Sequence, residues 1–98
     1  MIFDFEAELW VWDARRTETW TFVSVPTESS AEIREFAAGM PRGFGSVRVE
    51  ATIGGTTWRT SIFPGGDGRY ALPVKKAVRK AESLEIGSPV GVRLEILD

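Results

Sequence analysis

A hairpin pattern in the middle of the chain constrains the fold most. Apolar and polar residues alternate over residues 47–53, and after the pair Gly54–Gly55 a second strand-like run returns over residues 56–63. Alternation with period two is typical of a strand with one buried face. Two adjacent glycines tolerate the positive φ angles of a tight turn. The pattern therefore predicts an antiparallel hairpin.

Four other segments carry strand signals. Residues 3–12 and 90–96 alternate, residues 18–25 are rich in threonine, valine and aromatic residues, and residues 69–72 follow an Asp-Gly turn. Pro26 ends the strand over residues 18–25, because proline has no backbone N–H to donate to a neighbouring strand. Short strands at hairpin spacing favour a small barrel over a parallel sheet. We predict a mainly β fold of about six strands in a single domain, residues 1–98.

Two short helices are expected between the strands, capping the barrel. Ser29 and Glu32 fit a capping box and Gly39 fits a C-terminal cap, so the first helix is predicted over residues 30–38. Pro73 suits the first position of a second helix, where its missing N–H costs nothing. The predicted buried stripe of that helix consists of Val74, Ala77, Val78 and Ala81.

Composition excludes several classes of function. The chain has no cysteine and no histidine, which removes disulfides, thiol nucleophiles, Ser-His-Asp triads and Cys or His metal sites. A metal site made only of carboxylates stays open, although the chain has no Asp-rich calcium loop. We assign no metal, no cofactor and no catalytic residue. No apolar run approaches the ~20 residues that span a bilayer, and the first residues are acidic rather than basic. The natural interpretation is a cytoplasmic protein without a membrane association.

Charge is distributed unevenly along the chain. The net charge is −2, which makes nucleic acid an unlikely partner. Residues 1–40 carry eight acids and three arginines, a net of −5, whereas residues 41–98 carry six acids and nine bases, a net of +3. The two parts are either neighbouring faces that attract each other, or the second part offers a basic patch to an anionic partner.

Basic residues cluster where the second helix is expected to start. Cations near a helix N-terminus interact unfavourably with the helix dipole. An unfavourable arrangement that nothing nearby compensates points mildly to function. Backbone amides and lysines there would suit a phosphate or a carboxylate. The alternative is that these cations pair with acids such as Glu6 and Glu8. The candidate ligand-binding residues are Lys75, Lys76, Arg79, Tyr70, Ser61 and Arg48.

Two tryptophans break the pattern of the first strand. Trp10 and Trp12 fall on the face that carries acids at its start, and an apolar residue on a polar face is informative. A helix or a neighbouring chain could cover them, or they could form an exposed surface for a ligand or a protein partner. A homodimer would also account for them, so both a monomer and a homodimer stay open.

Four motifs are distributed along the chain: Trp58-Arg59-Thr60-Ser61-Ile62-Phe63-Pro64, Tyr70-x-Leu72-Pro73-x-Lys75-x-x-Val78-Arg79-x-Ala81, Trp20-x-Phe22-x-x-x-Pro26 and Gly43-Phe44-Gly45. Together they resemble the bacterial family called domain of unknown function 1905. The resemblance implies a double-split β-barrel, an architecture shared with AbrB-like regulators and MazE-like antitoxins, and it implies no known activity. Ser88 stands where those wider groups usually have aspartate.

Three functions follow as hypotheses. The first, which we favour, is a non-enzymatic binding module that holds an anionic small molecule or a protein partner at the start of the second helix. The second is a DNA-binding regulator or antitoxin-like protein, suggested by analogy of fold. The third is a small enzyme that works through lysine, tyrosine or serine, which would require a lysine with a strongly lowered pKa.

Overall fold

Six strands and two helices build the described part of the protein. The computed structural model describes residues 1–12, 20–39 and 45–97. All neighbouring strands run antiparallel, and the order β1-β2-β5-β4-β3-β6 closes a barrel, which confirms the mainly β fold. The predicted turn at 13–17, most of the connection at 42–45 and Asp98 lie outside the described residues. The elements are β1 (Ile2–Trp12), β2 (Trp20–Ser24), α1 (Thr27–Ala37), β3 (Val47–Ile53), β4 (Thr56–Pro64), β5 (Tyr70–Pro73), α2 (Lys76–Ala81) and β6 (Pro89–Ile96).

The barrel consists of two sheets that share β1 and β4. The long-ladder sheet has the order β4-β3-β6-β1: β3 pairs with β4 along its whole length, and β6 pairs with the first part of β1, from Ile2 to Glu8. The short-ladder sheet has the order β1-β2-β5-β4. There β2 pairs with β1 only from Leu9 to Trp12, and β5 pairs with β4 only at Phe63 and Pro64.

The inner faces of both sheets form one apolar core. In β3 and β6 every second residue is buried, as the alternation of the sequence predicts. Val23 and Leu72 extend the core into the short-ladder sheet. The first part of β1 is less enclosed, because Phe3 and Phe5 are only partly buried against this core.

The two helices lie at opposite ends of the barrel. Helix α1 follows the end of β2, whereas α2 follows the end of β5, and these neighbouring strands are antiparallel. Ile33 of α1 and Val78 of α2 are both fully enclosed by the core, so each helix covers one end. No helix within the described residues is long and apolar enough to cross a membrane.

The predicted start of the first helix is wrong. Helix α1 begins at Thr27, three residues early, with Pro26 at the N-cap and no side-chain capping bond. Ser30 is the serine that matters. Its hydroxyl donates to the Val25 carbonyl at 3.0 Å and accepts from the Tyr70 N–H at 3.0 Å, and it is fully buried. The serine therefore joins β2, α1 and β5 instead of capping the helix.

The predicted start of the second helix is also wrong. Pro73 ends β5, and α2 begins at Lys76 with Lys75 as its N-cap. The chain stays extended because Val74 is held against β2: its N–H donates to the Thr21 carbonyl at 2.9 Å, and its carbonyl accepts from the Thr21 hydroxyl at 2.6 Å. Of the predicted stripe, the two valines are buried, whereas Ala77 and Ala81 are exposed.

A polar contact fixes the end of α2 to the β3–β4 hairpin. The Thr56 hydroxyl donates to the Glu82 carboxylate at 2.6 Å. Gly54 has φ +58°, and a Cβ at this position would collide with that carboxylate. The glycine is therefore required both by the turn and by the close approach of Glu82.

Candidate functional site

The structure separates Tyr70 from the basic residues near α2. Tyr70 starts β5 and Lys75 follows its end, so five extended residues put them about 17 Å apart at ~3.3 Å per residue. Tyr70 is buried, and the Arg34 guanidinium lies 5.9 Å from the centre of its ring. A ligand at the start of α2 is thus out of reach of Tyr70.

The three cations predicted near α2 differ in their surroundings. Lys75 and Lys76 are exposed. Arg79 is partly buried, and its Nε is enclosed without a hydrogen-bond partner among the described residues. Since α2 has only six residues, its dipole contributes little to binding an anion.

Arg48 and Ser61 are brought together at a different place. They lie directly opposite each other on β3 and β4. Both line a groove of about 350 Å³, to which Arg59 and Phe63 also contribute. The Arg59 side chain is 69% exposed and forms an ion pair with Glu50 at 3.2 Å. Two guanidinium groups and a hydroxyl thus share one shallow groove on the outer surface of the long-ladder sheet.

Four aromatic side chains share the outer face of the β1–β2 hairpin. Trp12 lies opposite Trp20, and Trp10 lies opposite Phe22. Directly opposed residues of antiparallel strands point to the same face, so the four side chains form one group, here called the aromatic surface. Trp12 is 57% exposed and Trp20 is 52% exposed. The predicted exposed pair, Trp10 and Trp12, is therefore part of a larger set.

Two side chains of the aromatic surface, Trp10 and Phe22, are held in place by contacts within the hairpin. The indole N–H of Trp10 donates to the Ser24 hydroxyl at 2.9 Å. The Trp10 ring stacks on Phe22 with centroids 5.0 Å apart and an angle of 28° between the planes. Such a stacked pair contributes about 0.5–1.5 kcal/mol beyond the area it buries. Trp10 therefore has a structural role in addition to any role in binding.

The apolar character of this face continues beyond the hairpin. Pro73 of β5 lies opposite Phe22, and Ala71 lies between Ser24 and Phe63. Phe63 on β4 is 46% exposed. Apolar side chains thus extend over the outer face of the whole short-ladder sheet.

A groove of about 670 Å³ adjoins Trp10 where β1 and β2 separate. Glu6 and Glu8 line one side of it, and Arg69 contributes from the loop before β5. Arg69 also forms an ion pair with Asp67 at 2.7 Å. The side-chain and backbone hydrogen bonds from Arg69 lower the pKa of Asp67. Among the described residues, neither Glu6 nor Glu8 forms an ion pair with the cations near α2, which was the expected alternative.

Sequence reasoning missed Trp20 and Phe22. The signal was available, because a hairpin that pairs Trp12 with any even-numbered residue of the second strand places Trp20 and Phe22 on the same face as Trp10. The alternation of β1 places Trp10 and Trp12 on one face, and the hairpin register extends that face to Trp20 and Phe22. Arg59 was missed for a similar reason, since only the register puts it beside Arg48 and Ser61.

The fold and the surfaces define a small β-barrel with two capping helices and an exposed aromatic face. A family model described as Domain of unknown function (DUF1905) matches residues 5–94. The chain belongs to this family, which confirms the resemblance seen in its motifs. The family is uncharacterised, and no curated protein matches the chain.

Proposed function

We propose that this protein is a protein-binding module that contacts its partner through the aromatic surface. The observation that carries the proposal is the exposure of Trp12 and Trp20, a directly opposed pair on the outside of the barrel, each more than half accessible. Exposed apolar patches of this kind mark interaction sites. The partner is a protein segment with its own apolar side chains.

Tryptophan supports this proposal energetically. A buried aromatic side chain removes about 150–250 Å² from water, and tryptophan is among the residues that dominate interface energies. The Trp10–Phe22 stack lies beside the two outer tryptophans on the same face and is already ordered, so this part of the aromatic surface needs little ordering when a partner binds. The adjoining groove beside Trp10 offers space for a further part of the partner.

The test uses a random peptide display library as the probe. Peptides selected on the unaltered protein are expected to bind a Trp12→Ser, Trp20→Ser double variant at least about tenfold more weakly, because truncating a central tryptophan typically costs 2 kcal/mol or more. Binding is measured by calorimetry, and the fold of the variant is checked by its NMR spectrum.

Ile86→Ser is the matched control. Ile86 is 52% exposed, similar to Trp20, but lies in the turn before β6. Its replacement is expected to leave peptide binding unchanged. Selected peptides that bind the double variant as tightly as the unaltered protein contradict the proposal. The proposal would also be contradicted if the unaltered protein sediments as a dimer and the double variant sediments as a monomer, since the partner would then be a second copy.

A second candidate is the binding of an anionic small molecule in the groove beside Arg48. It is favoured by the register, which brings Arg48 and Ser61 together and adds Arg59. Guanidinium groups bind phosphates and carboxylates with paired hydrogen bonds. Titration with pyrophosphate is expected to shift the amides of Arg48 and Ser61, whereas shifts confined to Lys75 and Arg79 would place the anion at α2. No shift at either place would end the proposal.

The remaining hypotheses stay predictions. The DNA-binding alternative predicts duplex binding that weakens steeply with salt. The enzymatic alternative predicts a lysine that titrates well below its ordinary pKa. A cytoplasmic location belongs to the same set of predictions.

A further inference from the structure

The first part of β1 has a strand neighbour on one side only within the described residues. From Ile2 to Glu8 it pairs with β6, whereas β2 joins β1 only from Leu9 onward. On that second side the chain leaves β2 at Ser24 and enters α1 at Thr27. The groove of about 670 Å³ lies in this opening.

The direction of the backbone groups along β1 can be read from its hydrogen bonds. Leu9 donates its N–H to the Ser88 carbonyl at 3.2 Å and accepts from the Gly87 N–H at 2.7 Å, and the Met1 carbonyl accepts from Ile96. Odd-numbered residues of β1 therefore direct their backbone groups towards β6. Because these groups alternate sides along an antiparallel strand, those of Asp4 and Glu6 face the opening.

These two residues have no backbone partner within the described part of the chain. Each offers one N–H donor and one carbonyl acceptor. Such a row of backbone groups is a template for another strand. Peptides bind many proteins in this way, with main-chain hydrogen bonds giving affinity and alternate side chains giving specificity.

The side chains beside this edge indicate the charge of the strand that would add to it. Asp4, Glu6 and Glu8 lie on the outer face of β1, and all three are exposed. Asp4 is engaged by Arg93 of β6 at 3.0 Å. Opposite charges across a strand pair are favourable, whereas like charges directly opposite are not. A second copy pairing along the same edge would oppose acids with acids, so self-pairing is disfavoured.

We propose that an extended basic segment of a partner protein adds as a strand to β1 at Asp4 and Glu6, on the side where the described residues provide no strand neighbour. Its lysines or arginines occupy alternate positions, facing Glu6 and Glu8 on the outer side. Beyond the edge the segment reaches Trp10 and enters the aromatic surface. This inference deepens the proposed function and rests on it for the identity of that surface, but the edge itself is independent of Trp12 and Trp20.

Hydrogen exchange of the free protein is the first test. The amides of Asp4 and Glu6 are expected to exchange at least about tenfold faster than those of Phe5 and Ala7, whose backbone groups face β6. Equal protection of the four amides would overturn the proposal, because the edge would then already be occupied.

Peptide addition is the second test. The probe is a synthetic eight-residue peptide of alternating lysine and valine, followed by NMR titration. It is expected to shift the amides of residues 2–8 and to slow exchange at Asp4 and Glu6. A matched peptide of alternating glutamate and valine is expected to cause no shift. Equal shifts with both peptides, or shifts only elsewhere on the barrel, would overturn the proposal.

Variants at one position separate the backbone from the charge. Glu6→Pro removes the N–H that faces the opening without removing a bond to β6, so the fold is expected to persist and lysine–valine binding to weaken at least about tenfold. Glu6→Gln keeps the N–H and is the matched control, with a smaller loss. Glu6→Lys combined with Glu8→Lys is expected to exchange the preference, so that the glutamate–valine peptide binds. Unchanged binding to Glu6→Pro would overturn strand addition.

The outcomes also distinguish this inference from the proposed function. If library peptides need Trp12 and Trp20 for binding but bind the Glu6→Pro variant unchanged, strand addition is contradicted and the proposed function is supported. If the lysine–valine peptide slows exchange at Asp4 and Glu6 but binding of the library peptides does not depend on Trp12 and Trp20, strand addition is supported and binding at the aromatic surface is contradicted.

Discussion

The two sheets of the barrel share β1 and β4 and enclose one core, yet their outer faces differ. On the long-ladder sheet, Arg93 pairs with Asp4, and the hydrogen bond between them raises the pKa of Arg93. The Thr52 and Thr57 hydroxyls also hydrogen-bond on this face at 2.9 Å. On the short-ladder sheet, the corresponding positions carry the aromatic surface and Phe63.

The two sheets also differ in the interactions that hold their strands together. The long-ladder sheet relies on continuous backbone pairing along β3 and β6. The short-ladder sheet has shorter ladders, and the buried hydroxyls of Thr21 and Ser30 add hydrogen bonds to backbone groups at Tyr70 and in the residues that directly follow β5 and β2. Binding surfaces tend to occur where local stability is lower. The shorter ladders therefore support the proposal that the short-ladder sheet carries the aromatic binding surface.

Ser30→Ala is expected to have the largest effect on this comparison. It leaves the Val25 carbonyl and the Tyr70 N–H without their partner in a buried place. Each unpaired buried group costs about 1–3 kcal/mol, so the two together should lower the free energy of unfolding by roughly 2–6 kcal/mol. Urea denaturation measures it, and Ser29→Ala, one residue earlier in α1, is the control with a change below about 0.5 kcal/mol. Equal losses in the two variants would contradict the role of Ser30.

Thr21→Val is expected to come next. The shape is kept, but the Val74 carbonyl loses a buried hydrogen bond of 2.6 Å, at a cost of about 1–3 kcal/mol. Thr57→Val removes the exposed hydroxyl pair on the other sheet and is expected to change the free energy of unfolding by less than about 0.5 kcal/mol. Equal effects would mean that the two sheets do not differ in their dependence on side-chain bonds.

Strand existence could be predicted from sequence because alternation records which residues face a core. Val47 and Leu94 are buried where the period of two places them. Helix starts could not be predicted in the same way. Pro73 is compatible with both a strand end and a helix start, and the choice depends on the bonds between Val74 and Thr21, which are 53 positions apart.

Four of the six predicted ligand residues show where a sequence determines spatial neighbours and where it does not. Arg48 and Ser61 meet because of the β3–β4 register, which the two-residue turn almost determines. Tyr70 and Lys75 are close in sequence but lie at different ends of β5. Proximity along an extended chain gives about 3.3 Å per residue, so sequence neighbours on a strand do not gather around one ligand.

The double replacement Trp12→Thr, Trp20→Thr tests whether the aromatic surface is structural. Both side chains are more than half exposed, so only a cross-strand pair is lost, at a cost of about 0.2–1 kcal/mol. Thermal and urea unfolding measure the change. The threonines keep the strand propensity, which makes the loss of contact the main effect. A loss above about 3 kcal/mol would show that the tryptophans stabilise the barrel and would weaken their assignment as a binding surface.

Arg69→Gln is expected to have the smallest effect, on the pKa of one carboxyl group beside the groove. The side-chain hydrogen bond from Arg69 is the main reason that the pKa of Asp67 lies below its ordinary value of 3.8. Because the folded-state pKa is lowered, the stabilisation by this pair is present above the unfolded-state pKa and is lost as the pH falls through the folded-state value. The variant should raise the pKa of Asp67 towards 3.8, as measured by NMR titration of the carboxyl carbon.

Arg59→Gln, which removes the ion pair on the other sheet, should leave the Asp67 titration unchanged. An Asp67 pKa that does not respond to Arg69→Gln would mean that the loop holds the carboxylate by other groups, and the groove beside Trp10 would then present a free arginine next to Glu6 and Glu8.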